Sequence, residues 1–82
     1  MDLKKYSHEF IDMLDESDVQ GTIEYSNYDK KQTLVFTYRK DLDVQHVIVG
    51  SDSSEEYQKQ CVKTIEQILT GEIKTTDDIW NI

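Results

Sequence analysis

The chain has 82 residues, 37% of them hydrophobic, and its 17 acidic and 9 basic side chains give a net charge of −8. A chain of this length forms one domain, residues 1–82, whose core is small because only roughly 60% of the unfolded surface is buried. The negative charge repels nucleic acid and anionic membranes, so the composition argues against direct binding to either and suits a basic partner surface.

The cysteine content and the N-terminal sequence indicate an intracellular protein. Cys61 is the single cysteine, so no disulfide can form within the chain, which favours a reducing compartment. The stretch MDLKKYSHEF contains no long apolar segment of the signal-peptide type, and no stretch approaches the ~18 apolar residues of a membrane span. We therefore expect a cytoplasmic protein.

The first predicted element is a helix over residues 3–16. Apolar side chains recur there at helical spacing and form one stripe, namely Leu3, Tyr6, Phe10, Met13 and Leu14. Asp2 is the expected N-cap, and the period ends near Ser17–Asp18. Residues 19–25, VQGTIEY, then alternate as a half-buried strand does. Gly21 on its apolar face predicts a bulge or a close approach by the first helix.

Two further strands are predicted after a polar loop. The loop covers residues 26–32, SNYDKKQ, with Asn27 suited to a turn. Residues 33–38, TLVFTY, are rich in β-branched and aromatic side chains and form the second strand. Residues 44–49, VQHVIV, form the third, although their mixed pattern does not define an inward face. Residues 40–43, KDLD, make the charged hairpin tip between them, and Arg39 precedes it.

The stretch from Gly50 to Gly71 predicts a long second helix after a link of residues 50–53. Ser53 and Glu56 have the spacing of a capping box, and Gly71 is placed to end the helix. The expected buried stripe is Tyr57, Cys61, Ile65, Ile68 and Leu69. The last eleven residues leave room for one more short helix, capped by Thr75 or Thr76.

These elements predict an α+β fold, in which a three-stranded antiparallel meander is flanked by an N-terminal helix and a long C-terminal helix. The order is α-β-β-β-α, with or without the short final helix. The helices cover one face of the sheet. The opposite face, open to solvent or to a partner, carries Thr22, Glu24, Thr33, Val35 and Thr37.

The chain shows no catalytic or metal-binding signature. His8 and His46 have no second histidine or cysteine at metal spacing, and Cys61 lies on a buried stripe, where thiols are usually inert. The three glycines are scattered, so no phosphate-binding loop exists, and the acidic run SDSSEE lacks the spacing of a calcium loop. We therefore expect a protein that is not an enzyme and has no cofactor or metal.

Acidic residues cluster at the ends of the predicted elements, where a meander would bring several of them to one edge. Helical acids three or four residues apart are separated by about 4.5 to 6 Å along the axis, and DNA carries a phosphate about every 3.4 Å per strand. Fixed carboxylates could thus stand where a nucleic-acid-binding protein expects phosphates. The clusters are Asp15, Glu16 and Asp18; Asp41 and Asp43; Asp52, Glu55 and Glu56; and Asp77 and Asp78.

A resemblance to a known family lies in the order and spacing of several segments. These are DVQGTIEY, QTLVFTY and VQHVIVGSDSSEEY, followed by a helix that ends at LTG and by an acidic tail. The chain resembles the small acidic phage anti-CRISPR proteins that inhibit Cas9, of the Listeria-prophage α-β-β-β-α-α type. That resemblance implies a DNA mimic whose acidic loops occupy the pocket where arginines read the PAM guanines. The matching acids are Asp18, Asp41, Asp43, Asp77 and Asp78. This chain departs from the family in having Leu42 in place of a glycine-containing turn, and Arg39 and Lys40 beside the tip.

Two functions of different classes are compatible with the sequence. The first is a non-catalytic inhibitor that blocks the PAM-reading groove of a CRISPR effector such as Cas9, acting through the matching acids together with Asp15 and Glu16. The alternative is a phage- or plasmid-type regulatory domain that binds a host protein, or itself, through the sheet. We expect a monomer or weak dimer that contacts neither nucleic acid nor membrane directly.

Overall fold

The computed structural model describes residues 2–71 and confirms the α+β fold. Its elements are α1 (Leu3–Glu16), β1 (Gly21–Tyr28), β2 (Lys31–Lys40), β3 (Asp43–Gly50) and α2 (Glu55–Leu69). The three strands form one antiparallel sheet in the order β1-β2-β3. The predicted short helix capped by Thr75 or Thr76 lies outside the described residues, and no helix within 2–71 is long and apolar enough to cross a membrane.

The first hairpin is longer than the sequence predicts, and the polar loop predicted over residues 26–32 is wrong. The strands pair up to Tyr28 and Lys31, and only Asp29 and Lys30 remain as the turn. Both turn residues have positive φ, 51° and 65°, which is the backbone of a type I′ turn. This turn matches the twist of the strands, so pairing continues to its edge, and Asn27 lies within β1.

Gly21 is a point of close approach, but its neighbour is β2 and not the first helix. Gly21 is paired with Tyr38, and a Cβ atom built on it would overlap the carbonyl oxygen of Thr37. The strand begins here and not at Val19 as predicted, although the Arg39 amide still donates to the Gln20 carbonyl at 2.9 Å. Only a glycine fits where the two backbones are this close.

One face of the sheet forms the core with both helices. The register places Leu34 between Tyr25 and Val49, and Phe36 in the next row of the same face. The inward face of β3, which its sequence does not define, is therefore the one carrying Val49. The largest fully buried side chains are Leu3, Phe10, Leu34, Phe36, Val49 and Ile65. Burial of these side chains is the main source of stability in a domain of this size.

The opposite face is the one predicted, since Thr22 pairs with Thr37 and Glu24 with Val35 on the side away from the core. Within residues 2–71, both helices pack on the other side. The outer face is therefore built mainly from short polar and β-branched side chains of β1 and β2. It also carries the exposed side chains of β3.

Helix α1 has the bounds and the cap that its sequence predicts. The Asp2 carboxylate accepts a hydrogen bond from the Lys5 amide at 3.2 Å, and the helix ends where Ser17 donates back to the Leu14 carbonyl. The cap satisfies one of the four amides that a helix start leaves without an intrahelical partner.

Helix α2 begins differently from the prediction. The N-cap is Ser54, whose hydroxyl accepts from the Tyr57 amide at 3.2 Å, so the capping box of Ser53 and Glu56 is wrong. Ser53 instead uses its carbonyl oxygen, which accepts from Gln58 Nε2 at 2.7 Å. The end of the helix is confirmed, because Gly71 has φ 81° and donates to Ile68.

The buried stripe of α2 is also shifted at its start. Tyr57 was expected in the core but is 51% exposed, whereas Gln58 is only 5% exposed. Gln58 turns inward because its amide supplies hydrogen bonds to the link before the helix, to Ser53 and more weakly to Ser51. Farther along, the predicted residues are buried as expected: Cys61, Ile65, Ile68 and Leu69.

Candidate functional site

The end of α1 and the β2–β3 turn lie at the same end of the molecule. Helix α1 starts near the beginning of β2, where the Leu3 amide donates to Gln32 Oε1 at 3.3 Å. It leads into β1 beside the end of β2, where the Arg39 amide reaches the Gln20 carbonyl. We name the carboxylates gathered there the acidic end: Asp15, Glu16, Asp18, Asp41 and Asp43.

Helix α1 contributes Asp15 and Glu16 in its last turn, which has no basic residue. Both side chains are exposed. Acidic groups are disfavoured at a helix C-terminus, because the carbonyl groups there already carry partial negative charge. The local structure of the helix therefore gains nothing from these two carboxylates. Their field adds to that of the helix end.

The β2–β3 turn contributes Asp41 and Asp43. Asp41 has φ 55°, a left-handed backbone that aspartate tolerates better than most residues because its short side chain can bond locally. Asp41 takes the positive φ that glycine often supplies in turns, and Leu42 has no positive φ. Leu42 is 91% exposed. Asp43 begins β3 opposite Lys40.

Asp18 and Asp41 come from different segments but lie at the same end of the molecule. Asp18 lies two residues before Gln20, whose carbonyl accepts from the Arg39 amide, and Asp41 is the first residue of the turn that follows β2. The fold thus places five of the seven predicted partner-binding residues at one end. The other two, Asp77 and Asp78, lie outside the described residues.

Two cations, Arg39 and Lys40, also belong to this end. Five carboxylates against two cations leave it with a formal charge of −3. Among residues 2–71 there is one ion pair shorter than 4.0 Å, which joins Lys31 Nζ and Asp52 Oδ2 at 3.0 Å. It lies at the opposite end of β2 from Arg39 and Lys40. The two tip cations therefore offset the charge without holding a described carboxylate in a close pair.

The opposite end of the molecule has mixed charge. An open cleft of about 400 Å³ lies between the first turns of the two helices. Three acids and two lysines line it, so no single sign of charge dominates: its lining is Asp2, Lys5, Tyr6, Glu9, Glu55 and Lys59. The contrast between the two ends makes the acidic end the stronger candidate for partner binding.

The residues considered for nucleophilic chemistry are separated by the fold. His46 lies on the outer face, with Nδ1 3.0 Å from Thr37 Oγ1, whereas Cys61 is buried on the helix side of the sheet. The neighbouring Cys61 side chain raises the pKa of Tyr57 above its ordinary value, chiefly by hydrogen bonding. Within residues 2–71 no group of three or more His, Cys, Asp or Glu side chains could hold a metal ion.

One feature of the surface is absent from the sequence-based interpretation. Val44 and Ile48 project from the outer face of β3 and are 59% and 54% exposed. The strand VQHVIV has apolar residues on both faces, so alternation could not show which of them lie outside. The sequence feature that could have indicated these exposed residues is the symmetric placement of Val44 and Ile48, each two residues from His46.

Comparison with known proteins found no matching family model, no matching curated protein and no matching solved structure. The class of protein is therefore defined by the fold and the surface alone. It is a small acidic α+β domain with carboxylates from two elements and a connecting segment gathered at one end.

Proposed function

We propose that the protein is a non-catalytic inhibitor that inserts its acidic end into a positively charged nucleic-acid groove of another protein. The observation that carries this proposal is the placement of five acids at one end of the fold, namely Asp15, Glu16, Asp18, Asp41 and Asp43. They come from helix, link and hairpin, and all five side chains are exposed. A solubilising role alone would not require them to gather on one end of the fold.

The chemistry of the acidic end resembles that of a nucleic-acid backbone. Carboxylates accept charge-assisted hydrogen bonds from arginine and lysine, as phosphates do, and a fixed array steers association with a basic groove. A groove that holds this array would be closed to its nucleic acid.

The partner class follows from charge, and the first partner to test follows from the resemblance. A net charge of −8 disfavours nucleic acid and membranes and favours a basic protein surface. The resemblance to Cas9-inhibiting proteins makes a Cas9-type effector, with its PAM-reading arginines, the partner we propose first. Asp18, Asp41 and Asp43 are the residues that would reach those arginines.

The test compares two triple variants that lose the same charge. In the first, Asp18→Asn, Asp41→Asn and Asp43→Asn neutralise the acidic end. In the control, exposed acids elsewhere are neutralised: Glu9→Gln, Asp29→Asn and Glu56→Gln. Both keep side-chain volume, and their circular dichroism spectra should match that of the parent. Each protein is used as bait in a bacterial lysate and titrated onto a guide-loaded Cas9-type effector with PAM-containing duplex DNA as competitor.

The acidic-end variant should lose about 1,000-fold in affinity, since three charged hydrogen bonds of about 1.5 kcal/mol each are lost, while the control should lose little. Binding should weaken steeply with salt and with duplex DNA. Equal losses in the two variants would remove the acidic end from the interface. Binding that persists in excess duplex would refute mimicry. Capture of another nucleic-acid-binding protein, dependent on the acidic end, would replace only the effector as partner.

A second candidate function, an interaction domain that uses its sheet, is supported by a different observation. The exposed Val44 and Ile48 lie on β3, an outer strand of the sheet. Apolar side chains at such a strand mark a place where another strand can pair. This candidate does not depend on the acidic end.

A further inference from the structure

The free edge of β3 can be identified residue by residue. The Ser51 amide donates to the Gln32 carbonyl at 2.9 Å, and hydrogen-bonded pairs alternate along an antiparallel ladder. The main chains of the odd-numbered residues of β3 therefore face β2. Those of Val44, His46 and Ile48 face away, as the 3.4 Å hydrogen bond from the Tyr57 hydroxyl to the Ile48 carbonyl shows for one of them.

Among residues 2–71, this edge lacks most of the usual protection against pairing. Natural edge strands are commonly blunted by charged side chains, proline or a bulge. Between Val44 and Ile48 the sequence VQHVI has no acidic residue, lysine, arginine or proline, and the register with β2 runs without interruption. The side chains above this edge are the exposed Val44 and Ile48, with His46 between them. Within residues 2–71, the side chains and the main chains of Val44 and His46 are thus open to another strand, and the Ile48 carbonyl is shared with the Tyr57 hydroxyl.

The pattern along the edge is symmetric about His46. Val44 lies two residues before it and Ile48 two residues after it, and all three have outward-facing main chains. If a second β3 lies antiparallel with the two His46 residues opposite each other, each Val44 faces Ile48 of the second copy. The amides of all three residues then donate across the axis, and their carbonyls accept there. The Ile48 carbonyl uses its second lone pair, because the Tyr57 hydroxyl already donates to it at 3.4 Å. A register shifted by two residues would lose both valine–isoleucine pairs.

We propose that the protein forms a homodimer by antiparallel pairing of β3 with β3 of a second copy, centred on His46. The two three-stranded sheets join into one of six strands. Valine and isoleucine pair well across strands, each pair contributing about 0.2 to 1 kcal/mol. The occupant of the edge is a second copy of this chain because its apolar pattern complements itself under a two-fold axis.

The charge distribution favours this antiparallel arrangement. Asp41 and Asp43 lie at one end of β3, so antiparallel pairing sets the two acidic ends at opposite ends of the dimer, where a parallel arrangement would bring them together. The net charge of −8 on each copy still opposes association. A contact of one short strand also buries much less than the roughly 1,200 Å² of a stable interface. The dimer is therefore weak, and added salt strengthens it.

The test joins a concentration series to a cross-link at the axis. Sedimentation from about 10 μM to 1 mM should show a monomer–dimer equilibrium that shifts toward dimer with salt. His46→Cys should form a disulfide-linked dimer on mild oxidation, because opposed residues in a hydrogen-bonded pair have Cα atoms about 5.5 Å apart, within disulfide range. Thr22→Cys is the control, since Thr22 is exposed in the same row of the sheet but on the far strand. The native Cys61 is buried.

A second pair of variants places charge at the axis. His46→Lys sets two cations opposite each other and should abolish the dimer, although it lowers the overall negative charge; Thr22→Lys adds the same charge and should not. Both sites are exposed, so both proteins should melt like the parent. A monomer at every concentration overturns the proposal, as does equal cross-linking of the two cysteine variants or a dimer that His46→Lys leaves intact. Loss of the dimer with unchanged binding at the acidic end would leave the proposed inhibition standing.

Discussion

Gln58 offers the sharpest test of how the second helix is fixed to the sheet. Its side chain is buried, and its Nε2 donates to the Ser53 carbonyl at 2.7 Å and more weakly to Ser51 at 3.4 Å. The substitution Gln58→Glu keeps the shape but replaces the donor by a carboxylate. That carboxylate would face two carbonyl oxygens with almost no access to water.

The free energy of unfolding that Gln58→Glu removes depends on pH. Loss of one good hydrogen bond contributes about 1 kcal/mol, and an unpaired buried charge brings the total at pH 7 to about 3 kcal/mol or more. Burial and the two carbonyls raise the pKa of the new carboxyl in the folded state above its unfolded value of about 4.3. A protonated carboxyl can donate to Ser53, so the variant is least destabilised below that unfolded value. The destabilisation relative to the parent grows as pH rises through the folded pKa.

The assay is urea and thermal unfolding by circular dichroism from about pH 3.5 to 8, with the parent measured at each pH. At pH 7 the melting temperature should fall by about 12 to 24 °C, since 1 kcal/mol corresponds to about 4 to 8 °C in a domain of this size. Gln58→Met is the matched control. It loses the donor without adding charge, so its deficit of about 1 to 2 kcal/mol should not vary with pH. A pH-independent deficit in Gln58→Glu would refute the buried contact.

Two smaller predictions test local features of the chain. Ser54→Ala should destabilise the protein by about 1 kcal/mol because Ser54 caps α2, whereas Ser53→Ala should cost under about 0.5 kcal/mol because Ser53 contributes its carbonyl; equal costs in chemical unfolding would contradict the assigned cap. Lys30→Gly should stabilise the protein by about 1 kcal/mol because φ at Lys30 is 65°, while Lys30→Ala removes the same charge without relieving the backbone. Stabilisation by both variants would point to the charge and away from the turn.

The sequence predicts best where structure is set locally. Helix α1 has the predicted bounds because its cap at Asp2 and its apolar period lie within the same few residues. The start of α2 is different, because several serines precede it and more than one satisfies a capping pattern. The helix that begins after Ser54 is also held by a hydrogen bond from Gln58 Nε2 to the Ser53 carbonyl, and this bond is not part of any capping pattern. The turn at Asp29 and Lys30 was missed because neither residue is the glycine that normally marks a type I′ turn.

The candidate site was predictable in part for the same reason. A meander necessarily returns the hairpin tip to the end at which β1 begins, so the placement of Asp18 and Asp41 at one end follows from topology once the strands are known. The sequence could not predict which residues of β3 present their main chain at the free edge, because this depends on which amide and carbonyl groups face β2. That alternation is a property of the register and has no counterpart in residue type.

The short connections between the strands also bear on how quickly the protein folds. The most distant partners in each hairpin, Gly21 with Tyr38 and Thr33 with Gly50, are 17 residues apart. Such local pairing lowers contact order, and domains of this kind fold in about milliseconds or less. The chain has no proline, so slow isomerisation about X–Pro bonds cannot delay it. We therefore expect a single fast refolding phase.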